Sequence, residues 1–267
     1  MNGSPKSWLA LVREVLLSFL SRSSGTRDGA ARLEVVTLCR TPVRIVSEGA
    51  GSLCLINLHE NEATSVAAAR GVLRPDLASL VCLRARGRRC ITFWCGTRPY
   101  AFDPNRIFTD VGLHSTLRGY ASDDERAATT VTSLRESIVR AIGGDGSALV
   151  VALHNNRGGL SIHDYAAGGA RRTDAAEVHV SDSQDGSTFL LVTERPWFEY
   201  LARRGLNVVL QSETVHDDGS LSVWCARRGR PYVNVEARHG DVDAQSRLLR
   251  TVLEINEQAL ASSGGLR

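Results

Sequence analysis

Short, almost wholly apolar runs recur along this chain and alternate with helical patterns, which strongly limits how it can fold. Leu53-Cys54-Leu55-Ile56-Asn57-Leu58, Leu149-Val150-Val151-Ala152-Leu153 and Tyr232-Val233-Asn234-Val235 have no polar alternate face. A strand of that kind must be covered on both sides, as in parallel or mixed sheets sandwiched between helices. The pattern predicts an α/β fold: a three-layer single domain with a mixed, largely parallel central sheet flanked by helices.

Strands are expected at 33–38, 43–46, 52–58, 77–83, 90–94, 148–153, 188–192, 206–210, 221–225 and 232–235. Helices are expected at 62–73, 122–142 (opened by a Ser122-Asp123-Asp124-Glu125 cap), 196–204 and 243–261. Two long connections, 103–119 and 155–187, fall where a compact α/β domain builds the rim of a site. Residues 1–31 read as an N-terminal amphipathic or flexible segment and 32–267 as the α/β domain.

Lys6 is the only lysine among 32 basic residues, and the formal net charge is +3. The densest arginine clusters, at 84–89 and 227–230, are short and lie between apolar runs, so nucleic-acid binding is not expected. No apolar run approaches the roughly 18 residues of a membrane span. The six cysteines, with no C-x-x-C pair, read mostly as small buried hydrophobes. Arg13 and Glu14 interrupt a would-be export signal, so the expected location is cytoplasmic, with a periplasmic or exported protein as the alternative.

Open α/β sheets place ligands beyond the carboxyl ends of their strands. There the sequence has His59 and Glu62 after one strand, His154 after a second and Glu236 after a third, with Arg98 and then Asp103-Pro104-Asn105-Arg106 following a fourth. Two histidines and a glutamate match a catalytic zinc site, which takes three protein ligands and leaves a fourth position open. A neighbouring carboxylate, Glu236, can take the proton of an activated water and pass it to a leaving amine. Nearby arginines can polarise a carbonyl and fork onto a carboxylate.

The ordered set His59-x-x-Glu62, Asp103-x-Asn105-Arg106, His154 and Glu236, over about residues 53–240, resembles the zinc carboxypeptidase superfamily, in particular its aspartoacylase and succinylglutamate desuccinylase branch. The resemblance implies one zinc per chain on His59, Glu62 and His154, and Glu236 as general base. It implies Asn105 and Arg106 as the clamp on a substrate carboxylate and Arg98 as the carbonyl-polarising arginine, with Arg88 or Arg89 as rivals. The implied substrate is a small molecule or short peptide with a free carboxylate, cleaved at an amide bond by a deacylase or carboxypeptidase; a non-catalytic zinc-binding module is the competing class. The segment around Glu236, Val235-Glu236-Ala237-Arg238-His239-Gly240, departs from the family's usual surroundings. The tyrosine that closes over substrate is not placed, with Tyr165 and Tyr232 as candidates.

Overall fold

A computed structural model of the chain describes residues 31–118, 125–144, 146 and 148–264, with side chains for all of these except 118 and 259–264. The expected N-terminal segment, apart from Ala31, and the expected cap at 122–124 lie outside the described residues.

A nine-stranded sheet runs through the domain. Its strands are β1 (Arg32–Leu38), β2 (Thr41–Gly49), β3 (Leu53–Asn57), β4 (Ala78–Arg84), β7 (Val150–Asn156), β8 (Ala175–His179), β9 (Phe189–Val192), β10 (Val208–Gln211) and β11 (Tyr232–Arg238). The remaining two, β5 (Ile91–Cys95) and β6 (Arg98–Phe102), form a separate hairpin. The order is β1-β2-β4-β3-β7-β11-β9-β10-β8. The four central strands β4, β3, β7 and β11 are mutually parallel, while both flanks include antiparallel pairings. The sheet is therefore mixed with a parallel centre, as expected from runs that are buried on both faces.

Helices α1 (Ala63–Val72), α4 (Arg195–Arg203) and α6 (Val242–Gly264) cover one face, around Leu55, Val151, Leu153, Val233 and Trp197. Helices α2 (Asp110–Arg118), α3 (Glu125–Ala141) and α5 (Leu221–Arg227) cover the other with the β5–β6 hairpin, around Ile56, Ala152, Phe93, Phe102, Leu134 and Trp224. Each fully buried Leu, Ile or Val side chain contributes roughly 1.5–3 kcal/mol, so the central strands anchor both layers.

Several local expectations differ from the structure. Residues 221–225 form helix α5, not a strand. The alternation Leu221, Val223, Cys225 also satisfies a helix that buries Leu221, Trp224 and Cys225 against the sheet. The connection 103–119 contains α2, and 155–187 contains β8 and two short 3-10 turns. Cys39, in the β1–β2 turn, and Cys95, at the end of β5, form a disulfide across 56 residues, whereas Cys54, Cys82 and Cys225 are buried free thiols. Among the described residues no helix is long and apolar enough to cross a membrane.

Candidate metal centre and its cavity

The parallel centre of the sheet brings the chemistry to one edge. β3 is buried along its whole length and ends just before His59, which is itself fully buried. A tight turn, with the Glu62 N–H donating to the His59 carbonyl at 3.0 Å, puts Glu62 at the N-cap of α1. The turn is tied down from behind. The Ser65 N–H donates to Asn155 Oδ1 at 2.8 Å, and the Asn155 amide donates to the fully buried Gln245 of α6 at 2.8 Å.

His154 lies on β7, and Glu236 is its register partner on β11, so both side chains project from the same face. His59 Nδ1 lies 3.0 Å from Glu62 Oε1 and 3.3 Å from His154 Nδ1, while His154 Nδ1 lies 3.0 Å from Glu62 Oε2. One ligand atom from each of His59, Glu62 and His154 falls within 4.8 Å of the others, and all three residues are buried. Two imidazole nitrogens and a carboxylate converging on one point are a donor set that fits a metal ion such as zinc.

Around these three sits a ring of partners. His59 Nε2 lies 2.7 Å from Asp103 Oδ1, which also accepts the Asn105 N–H at 2.8 Å. A carboxylate on the far imidazole nitrogen fixes the tautomer and aims Nδ1 at the ligand position. Burial alone would raise Asp103, but its bond to His59 and the charges of His59 and Arg89 hold it well below the usual carboxylate range. Burial likewise favours protonated Glu62, yet His154 and then His59 outweigh it and hold Glu62 at about 2. Burial pulls His59 down, whereas Asp103 and Glu62 more than compensate and its pKa is raised. Glu236 is raised by burial first; His154 opposes this and Glu62 reinforces it.

The positions taken by the arginines differ from the sequence expectation. Arg98 opens β6 opposite Cys95, is exposed and does not line the cavity. Arg89 reaches the cluster instead, with Nη1 3.0 Å from Glu62 Oε1 and Nη2 3.2 Å from Asp103 Oδ2. Glu60, in the same turn as His59 and Glu62, accepts the Gly87 N–H at 2.6 Å and so holds the β4–β5 turn, Arg86 and Gly87 at positive φ, that presents Arg89. Only proximity in space separates Arg89 from its neighbour Arg88.

Asn105 and Arg106 do line the cavity. Asn105 Oδ1 accepts the Leu221 N–H at 3.0 Å, which joins this loop to the start of α5. Arg106 Nη1 donates to the Asn105 carbonyl at 2.7 Å, and Nη2 lies 3.4 Å from Asp218 Oδ2. Helix α2 and the loop before α5 meet at Gly112 and Gly219: a Cβ on Gly112 would lie 2.1 Å from the Gly219 Cα, and Gly219 has φ +76°. Only glycine allows that approach.

The cavity measures about 660 Å³, within the range of small-ligand sites. Glu62, His154 and Glu236 line it, and Tyr165 and Tyr232 are buried in its walls. The sequence alone assigns no role to Asp103, Gln211 or Asn234, and it leaves Arg89 as a rival to Arg98. Gln211 follows the expected strand 206–210 directly, where nothing in the sequence singles it out.

The chain matches no family model and no curated protein. Among solved structures it is similar to the murein-tripeptide amidase MpaA from Escherichia coli O157, at 14% identity and TM-score 0.42, over 88% of this chain and 94% of that one. It is also similar to candidate metallopeptidases from Shewanella amazonensis SB2B and Shewanella denitrificans OS217. The first is 10% identical with TM-score 0.38, over 96% of this chain and 90% of that one. The second is 15% identical with TM-score 0.40, over 96% of this chain and 87% of that one. These likenesses are low in identity and in TM-score, and none carries the name of the aspartoacylase branch.

Proposed function

We propose that this chain is a zinc-dependent hydrolase that cleaves an amide bond next to a free carboxylate. The observation that carries the reading is the convergence of His59 Nδ1, His154 Nδ1 and the Glu62 carboxylate within 4.8 Å, with Glu236 beside them on the neighbouring strand. His59, Glu62 and His154 hold one zinc per chain. Zinc bound there supplies Lewis-acid chemistry and makes water nucleophilic near neutral pH.

Glu236 takes a proton from the attacking water and delivers it to the leaving nitrogen. Its pKa is raised above the ordinary carboxylate value, by burial first, which makes it a stronger base than an exposed glutamate. Arg89, beside Glu62, takes the carbonyl-polarising role in place of Arg98. Arg106 and the amide of Asn105 hold the substrate carboxylate, which displaces the long Arg106–Asp218 contact of 3.4 Å. Substrates are short peptides or N-acyl amino acids, so the carboxypeptidase and deacylase versions share one site. The Cys39–Cys95 disulfide favours an oxidising, periplasmic or exported setting over the cytoplasm.

Metal analysis with a mutant series tests the proposal. Wild type carries about one zinc per chain and His59→Ala and His154→Ala lose it, since two remaining ligands hold zinc poorly. Glu236→Gln keeps zinc and loses several orders of magnitude in kcat. Full zinc occupancy in both histidine variants refutes the ligand set. A folded, zinc-loaded wild type that turns over no N-acyl amino acid or short peptide, with nothing for Glu236→Gln to lose, establishes a non-catalytic module.

A further inference from the structure

On the face that carries Glu236, the cavity continues down the sheet away from the metal ligands. Asn234 precedes Glu236 by two residues on β11 and so projects from the same face, with Leu191 of β9 as its register partner. One strand further out, Gln211 ends β10, is buried with 6% of the residue exposed, and lines the same cavity. Both belong to the small set of described buried side-chain atoms without a hydrogen-bond partner: Gln211 lacks one at Nε2, a donor, and Asn234 at Oδ1, an acceptor. The orientation of the Asn234 amide is set by its other end, since Nδ2 donates to Glu236 Oε1 at 3.4 Å.

Buried polar groups are paired in nearly all folded proteins, so an unpaired donor and an unpaired acceptor that share one cavity wall mark a place where a ligand supplies the partners. Charge on the adjoining wall is balanced: Arg171 Nη1 lies 3.6 Å from Asp174 Oδ2. Tyr232 and Leu191 complete the floor and are buried.

We infer that this floor selects a substrate whose side chain ends in an uncharged carboxamide, the glutamine or asparagine class, on the residue that carries the clamped carboxylate. The carboxamide oxygen accepts from Gln211 Nε2 and its N–H donates to Asn234 Oδ1. A carboxylate has no proton for Asn234, an ammonium has no lone pair for Gln211, and an alkyl group leaves both unpaired. A site built to hydrogen-bond a substrate group discriminates strongly against analogues that lack it, because its own buried groups are then stranded. The inference rests on the hydrolase reading for the placement of the substrate, but its test does not need turnover.

The test is calorimetric titration of the full-length purified protein with the free amino acids glutamine, glutamate, leucine and lysine, on wild type and on Gln211→Met, which keeps side-chain length and removes the amide. Wild type binds glutamine at least about tenfold tighter than the other three, and Gln211→Met reduces that preference to about twofold. Leucine, glutamate or lysine binding wild type as tightly as glutamine overturns the inference, as does failure of all four to bind. Because the wild-type ranking alone decides, misfolding of Gln211→Met leaves the test intact. Preferred glutamine binding without hydrolysis of N-acetylglutamine or glutamine-terminated dipeptides retains the pocket and refutes the hydrolase. Hydrolysis of other acids without the glutamine preference does the reverse.

Discussion

Replacing Asp103 by Asn keeps the side chain's shape and removes one charge, which isolates what that carboxylate does for the metal centre. Asp103 is 18% exposed and takes three partners: His59 Nε2 at 2.7 Å, the Asn105 N–H at 2.8 Å and Arg89 Nη2 at 3.2 Å. The amide has two ways to sit, and neither reproduces the set. With its oxygen toward His59 it turns its NH2 donor on the Arg89 guanidinium. With its NH2 toward His59 it forces that ring to accept at Nε2, moving the proton to Nδ1 and blocking the nitrogen that faces Glu62 and His154. Groups that orient a metal-bound imidazole are worth about 10- to 100-fold in metal affinity, or about 1.4–2.7 kcal/mol. A hydrogen bond to a charged group is worth about 1.5–3 kcal/mol, which agrees. Asp103→Asn should therefore weaken zinc binding by one to two orders of magnitude while the fold survives. Competition against a chromophoric chelator near neutral pH measures the affinity, with circular dichroism to confirm folding. A folded variant whose zinc Kd stays within about twofold of wild type would refute both the tautomer argument and the choice of Nδ1 as the ligand atom.

Two further expectations concern stability. Burial raises Glu194, at the N-cap of α4, from 4.5 to about 7. The folded state then holds a proton that the unfolded chain has released, so this residue makes stability fall as pH rises from about 4.5 to about 7; Glu194→Gln should remove that slope and raise stability at pH 8. The gain is about 3 kcal/mol at most, less the part that the helix N-terminus offsets, and melts at pH 5 and pH 8 that shift equally in variant and wild type would contradict it. Thiol titration of the unfolded, unreduced protein should find four reactive cysteines, Cys54, Cys82, Cys90 and Cys225, and Cys39→Ser with Cys95→Ser should lower stability by about 4 kcal/mol from the 56-residue separation. Six reactive thiols would remove both this expectation and the case for an oxidising compartment.

What the sequence determined by itself is local. A short, almost wholly apolar run such as 53–58 fits a strand covered on both sides, and it ends in polar residues because the chain there leaves the sheet for the rim; this was enough to put His59, Glu62, His154 and Glu236 near strand ends. The structure brings those four side chains to one edge, together with Asn105 and Arg106 on the cavity wall. Tertiary structure decided the rest, because each remaining question turns on contacts between distant segments. Arg89 and Arg98 are equivalent as residue types; Glu60 capping the β4–β5 turn sends the first to Glu62, and pairing of β5 with β6 leaves the second exposed. Five residues of alternation at 221–225 fit a strand and one helical turn alike, and helix α5 takes its place against β11, its start joined to Asn105. Cys39 and Cys95 become neighbours only when the hairpin packs on the sheet. Gln211 follows an apolar run on a strand whose place in the sheet order no periodicity records; pairing with β9 and β8 places it on the floor of a cavity. Side-chain periodicity reports the two or three residues around a position, whereas Arg89 meets Glu62 across 27 positions and Asn105 meets Leu221 across 116.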